Sequence, residues 1–150
     1  MARLLVVANQ TLGGEQLEAR LDALIADGPC ALYLVVPVTA AEGTTQWDYP
    51  PIDRVIPDAQ RIAQTLAEAR LEHELARLQR SGVTADGEVV ASAPVDRVRE
   101  LLAEGEYDGV IVSTLPRRLS RWLLTDLPHR VSRLSDVPVE HVEGQAGPSV

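Results

Sequence analysis

A chain of 150 residues with 45% hydrophobic content is one domain of ordinary size, able to bury a sizeable core without disulfide or metal staples. Its 22 acidic residues outnumber the 14 basic ones, for a formal charge of -8, and only 3% of residues are aromatic; this balance argues against nucleic acid and anionic membrane as partners. The single cysteine, Cys30, has no internal disulfide partner and no histidine beside it in sequence, so it reads as a buried, inert thiol. The opening run MARLLVVANQ is too short for a signal peptide or a membrane helix, and a cytoplasmic location is expected.

Strand and helix alternate along the chain. Leu4 to Val7 is a short apolar run of the kind found in a parallel strand covered on both faces. Gly13 and Gly14 then loosen the turn before a helix with Leu17, Leu21, Leu24 and Ile25 on one face, stopped at Gly28. Ala31 to Val36 is the second strand, closed by Pro37. Residues 38–57 carry several prolines and no period; connections of this length without structure of their own usually serve as lids or stay disordered. Trp47 and Tyr49 give this loop apolar weight, to be spent against the body of the protein or over a ligand.

The longest helix is expected from Asp58 to Arg80, with Ala59, Ile62, Leu66, Leu71, Leu75 and Leu78 facing the core and His73 on the solvent side. Gly87 to Ala91 is the third strand. Val95, Val98, Leu101 and Leu102 mark a short helix ended by Gly105. Val110 to Val112 is a fully buried strand that ends at Ser113 and Thr114, and the next helix runs from Pro128 to Leu134. Val137 to Val142 is the last strand, whose Pro138 favours an edge or interface position, and 143–150 read as a disordered tail. With right-handed crossovers this order requires an α/β domain over 1–142, an open five-stranded parallel sheet with helices on both faces.

Function is expected around the fourth strand, because ligands in open α/β sheets collect at strand ends. Between residues 113 and 133 stand Arg117, Arg118, Arg121, Arg130 and Arg133 against Asp126 alone, a reversal of sign within an acidic chain. Such a patch either draws a small anionic ligand or solvates a helix face and its lead-in loop. His129 has the same two readings, as a donor to phosphate or as a surface residue. No Ser-His-Asp order and no metal-ligand spacing supports a catalytic centre or a metal site.

Two stretches carry a family resemblance. RLLVVANQT resembles the opening strand and turn of the universal stress proteins, and YDGVIVST, an arginine-containing loop, a helix and VPVEHV resemble their closing half. The resemblance runs from Arg3 to Val142. It implies the strand order 3-2-1-4-5 and a homodimer paired through the last strand, with Val137, Val139 and His141 at the interface, which would cover an open sheet edge. It also implies an adenine-nucleotide site built from Asn9, Thr11, Val36, Ser113, Thr114, Arg117, Arg118, Arg121, Thr125 and Asp126.

Against the family pattern the site is altered. Nucleotide-binding members have a glycine-rich loop whose backbone N–H groups cradle phosphate. Here Ser113 and Pro116 stand at the first two glycines, and Thr125 or Asp126 at the third. Asp126, two residues before Pro128, suits an N-cap, where its carboxylate takes the donors a phosphate would use and repels the anion by about 1–4 kcal/mol. Asn9 replaces the family's aspartate. Two functions therefore compete. One is a dimeric stress-response or regulatory module with weak or no ATP binding and no resident cofactor. The other is an adenine-nucleotide binder, taking ATP with Mg²⁺, in which the arginines replace the lost glycine loop; slow nucleotide hydrolysis is then the most that chemistry would allow.

Overall fold

The computed structural model describes residues 1–38, 57–91, 93–116 and 127–147. Their elements follow the order β1 (Ala2–Val7), α1 (Glu15–Ala26), β2 (Cys30–Pro37), α2 (Pro57–Arg80), β3 (Thr84–Val90), α3 (Pro94–Glu104), β4 (Gly109–Thr114), α4 (Leu127–Ser132) and β5 (Val139–Glu143). All five strands are parallel, in the order β3-β2-β1-β4-β5.

Alternating side chains divide the central strands between two cores. Val6, Leu32, Leu34, Val36 and Ile111 face one side with Leu17 and Leu21 of α1 and Ala67 and Leu78 of α2. Leu5, Val7, Val35, Val110 and Val112 face the other with Val98 and Leu101 of α3 and Leu127 and Val131 of α4. A two-residue period in the strands thus places helices on both faces. Cys30 is buried and unpaired, and burial pushes its thiol pKa up.

The edges of the sheet depart from the sequence expectation. β3 begins at Thr84, three residues before Gly87, because its first residues Thr84 and Asp86 are exposed and only Ala85 between them is buried. A one-sided edge strand has no continuous apolar run to announce it. At Gly87 an added Cβ would lie 2.5 Å from the Leu34 carbonyl oxygen and 2.8 Å from Leu71 Cδ1, so glycine lets α2 lie close on the strand. β5 starts at Val139 because Val137 packs in part on the α3 and α4 core and the Pro138 carbonyl accepts the Val110 N–H (2.8 Å). Of the tail expected over 143–150, Glu143 belongs to β5, residues 144–147 make the hydrogen bonds described below, and 148–150 lie outside the described residues. Val38 extends β2 by donating its N–H to Val90 O (2.9 Å), while 39–56, with Trp47 and Tyr49, lie outside the described residues.

On α2 the buried stripe is Ala63, Ala67, Glu74 and Leu78, with Leu71 and Leu75 partly buried against the same core; Ile62, expected inside, is 50% exposed. Glu74 turns the stripe because a charged partner set receives it. Arg77 bonds to Glu74 (2.9 Å) and Asp22 (3.2 Å) and pairs with Glu18 of α1. Among the described residues, Glu74 Oε2 is buried without a hydrogen-bond donor, and Glu18 Oε2 has only its ion pair with Arg77. A proton on the Glu18 carboxyl would give Glu74 a donor. Burial, the Glu74 hydrogen bond and the Glu74 charge push Glu18 up to about 8, against the opposing pull of Arg77.

Because that value lies above the ordinary 4.5, the stabilisation is complete below pH 4.5 and is lost as pH rises through about 8. The melting temperature is therefore expected to fall across this window. In Glu18→Gln, whose amide donates permanently to Glu74, the slope over the same window should vanish; an unchanged slope would place the titration elsewhere.

Candidate functional site

Parallel strands bring all their carboxyl ends to one side of the sheet. From β1 the chain winds outward through β2 to β3, and β4 and β5 lie on the other flank, so the winding reverses between β1 and β4. A crevice opens where neighbouring connections leave in opposite directions, and ligands of open α/β sheets settle there.

The residues at this switch point are polar and buried: Asn9, Thr11, Ser113 and Thr114 are each no more than 2% exposed. Thr11 Oγ1 and Ser113 Oγ share a hydrogen bond of 2.7 Å across the crevice. On the β2 side, Asn9 Nδ2 donates to the Pro37 carbonyl (2.6 Å), and Asn9 Oδ1 accepts from Arg70 Nη1 of α2 (2.9 Å). On the β5 side, Thr114 Oγ1 and His141 Nε2 share a bond of 2.7 Å. The β1–α1 turn is closed by the Thr11 carbonyl, which accepts the Gly14 N–H (2.8 Å), and by Glu18 Oε1, which accepts the Gly13 N–H (3.0 Å). Gly13 has φ +80, where a side chain would be strained.

Several expected residues thus come together, with different roles. Asn9, Thr11, Ser113 and Thr114 meet, buried, at the switch point, where β1 and β4 end. Val36 is fully buried in the α1 and α2 core, and His141 is bonded to Thr114 while otherwise exposed. Val139 is partly buried against the α3 and α4 side. His129, Arg130 and Arg133 are exposed in and just after α4. Arg117, Arg118, Arg121, Thr125 and Asp126 lie outside the described residues. Among the described residues, no cluster of three or more His, Cys, Asp or Glu could hold a metal ion, and no helix is long and apolar enough to cross a membrane.

Sequence reading missed Arg70, which reaches the site from α2, 61 positions from Asn9; nothing local marks a helical arginine for such a contact. It also missed the chain after β5. Gly144 N–H donates to Thr114 O (2.9 Å) and Gly147 N–H to Gln10 O (2.8 Å), so this segment joins the ends of β4 and β1. Its glycines were the one available signal.

No family model and no curated protein matches the chain. Solved structures do. A universal stress protein family protein from Arabidopsis thaliana with AMP bound superimposes with TM-score 0.62 at 12% identity, over 97% of this chain and 94% of its own. The universal stress protein from Archaeoglobus fulgidus gives 0.55 at 13%, over 95% and 93%. A universal stress protein in complex with cAMP gives 0.50 at 20%, over 96% and 98%. The domain defined by this sheet order and these two helical layers has the universal stress protein fold, along nearly the whole chain.

The Asn9 amide works as donor and acceptor at once, which a carboxylate cannot do. Asn9→Asp is expected to lose about 1–3 kcal/mol of stability in urea titrations, since its oxygen would face the buried Pro37 carbonyl with no donor between them. Wild-type stability in that variant would show that the Arg70 pairing offsets the loss.

Proposed function

We propose that the chain is a universal-stress-protein-like regulatory module of the cytoplasm, a homodimer paired through β5, whose switch-point crevice takes adenine nucleotide weakly or not at all. The observation that carries this reading is the Thr11–Ser113 hydrogen bond, which satisfies two buried hydroxyls across the place a ligand would occupy. A ligand has to break that bond and replace it, which takes away from its own binding energy. The absence of the glycine loop from the sequence works in the same direction, as does an aspartate at position 126.

The runner-up reading is an adenine-nucleotide binder in which Arg117, Arg118 and Arg121 hold the phosphates of ATP, with Mg²⁺. It draws support from the AMP and cAMP carried by two structures of the same fold, and from the cation that Arg70 brings to Asn9. Charge-assisted contacts from arginine can replace backbone donors.

Calorimetric titration of the purified chain with AMP, and with ATP and Mg²⁺, separates the two. The expected result is no saturable binding tighter than about 1 mM, near 4 kcal/mol. Micromolar binding that disappears in Arg117→Ala or Arg118→Ala would establish the runner-up, and Asp126→Gly should strengthen whatever binding exists.

For the dimer, the supporting observation is that β5 pairs with β4 alone among the described strands and leaves its other edge open. Sedimentation should report twice the chain mass for the native chain and a lower mass for Val139→Asp. A monomer in both would remove the edge-pairing proposal.

A further inference from the structure

We propose that residues 144–147 form a strap that gates the switch-point crevice, and that it has to lift before a ligand enters. This rests on the reading above that the crevice is the ligand site.

The strap's two main anchors fall on the neighbours of the residues that close the crevice. Gly144 binds the carbonyl of Thr114, next to Ser113, and Gly147 binds the carbonyl of Gln10, next to Thr11. Between these anchors Gln145 N–H donates to Gln16 Oε1 (2.8 Å) in the first turn of α1. The segment therefore passes from the end of β4, along the amino end of α1, to the end of β1, on the two sides of the Thr11–Ser113 bond.

The approach is so close that it depends on glycine from both sides. A Cβ on Gly147 would collide with the Leu12 carbonyl, and one on Gly14 with the carbonyl of Gln145. A Cβ on Gly144 would come within 2.8 Å of Gln16 Cβ. Two backbone segments far apart in sequence thus fit face to face only because each is bare where the other passes. The Gly144 N–H makes the last rung of the β4–β5 ladder, on the far side of Glu143 from the rest, and from Gln145 onward the fit serves a contact outside the sheet.

The strap is also built to open. Gln145 and Ala146 are exposed, and the segment adds no large apolar side chain to either core. Local opening breaks the final β4–β5 rung at Gly144 and two hydrogen bonds beyond it, and leaves the rest of the sheet paired. Where only the opened form accepts ligand, the apparent affinity falls by the open fraction, so a strap open one-tenth of the time weakens binding about tenfold.

The test uses Gly147→Val in the full chain, and in parallel a chain ending at Glu143, each checked for native circular dichroism. Access to the crevice is read without any ligand from the rate at which a thiol reagent labels a Thr11→Cys background, with the native chain, whose Cys30 is buried, as control. Affinity is read with AMP by calorimetry. The expected result is labelling at least about tenfold faster in both strap variants, with a matching gain in AMP affinity over the unaltered strap. Equal labelling rates overturn the strap, whatever AMP does. Faster labelling with no gain in AMP affinity overturns its role in gating nucleotide. Tight AMP binding by the unaltered chain instead defeats the functional reading above, and leaves the strap to be decided by the labelling rates.

Discussion

The structure depends on the double pairing of β1. Leu4 to Val7 is hydrogen-bonded to β2 on one side and to β4 on the other, with Leu5, Val6 and Val7 fully buried. Every later feature follows from that position. The strand in the middle of a parallel sheet must be apolar on both faces, and it must release the chain at the carboxyl edge among the ends of its neighbours. Asn9 and Thr11, two of the three polar residues that follow it at 9–11, are thereby delivered to the ends of β2 and β4 and find partners there, Pro37 and Ser113.

Burial of polar groups is the second constraint. A buried hydroxyl or amide is costly unless it is bonded, and the protein meets this condition internally at the crevice and between α1 and α2. The two places solve it differently. At the crevice, hydroxyls pair with a hydroxyl and an imidazole, and the Asn9 amide bonds a carbonyl and the Arg70 guanidinium. Between the helices, two carboxyl groups share one arginine, and burial beside Glu74 pushes Glu18 towards the protonated form, which can donate.

How much of this was legible in the sequence follows from what each element buries. β1, β2 and β4, apolar on both faces, were readable as runs, and so was the strand order once the resemblance was seen. The edge strand β3 was misplaced by three residues because Thr84 and Asp86 at its start are exposed, and the face of α2 was misjudged because Glu74 occupies a core position that a hydropathy pattern assigns to an apolar residue. At the site, Asn9, Thr11, Ser113 and Thr114 were legible as polar residues ending buried strands. Arg70 and the segment after β5 were not, since their contacts are set by how helices and strands pack rather than by any local spacing.

The contacts of Asn9 and Thr11 reach progressively further along the chain: 28 positions to Pro37, 61 to Arg70 and 102 to Ser113. Closing a loop costs more entropy the longer it is, and non-local pairings are the slow events of folding. Of the three contacts, the Thr11–Ser113 bond therefore closes the longest loop and carries the largest chain-entropy cost. Wherever β4 is undocked, the flank of β1 that pairs with it is a bare strand edge open to another strand, so the strand that organises the native molecule is also one that β4 has to cover.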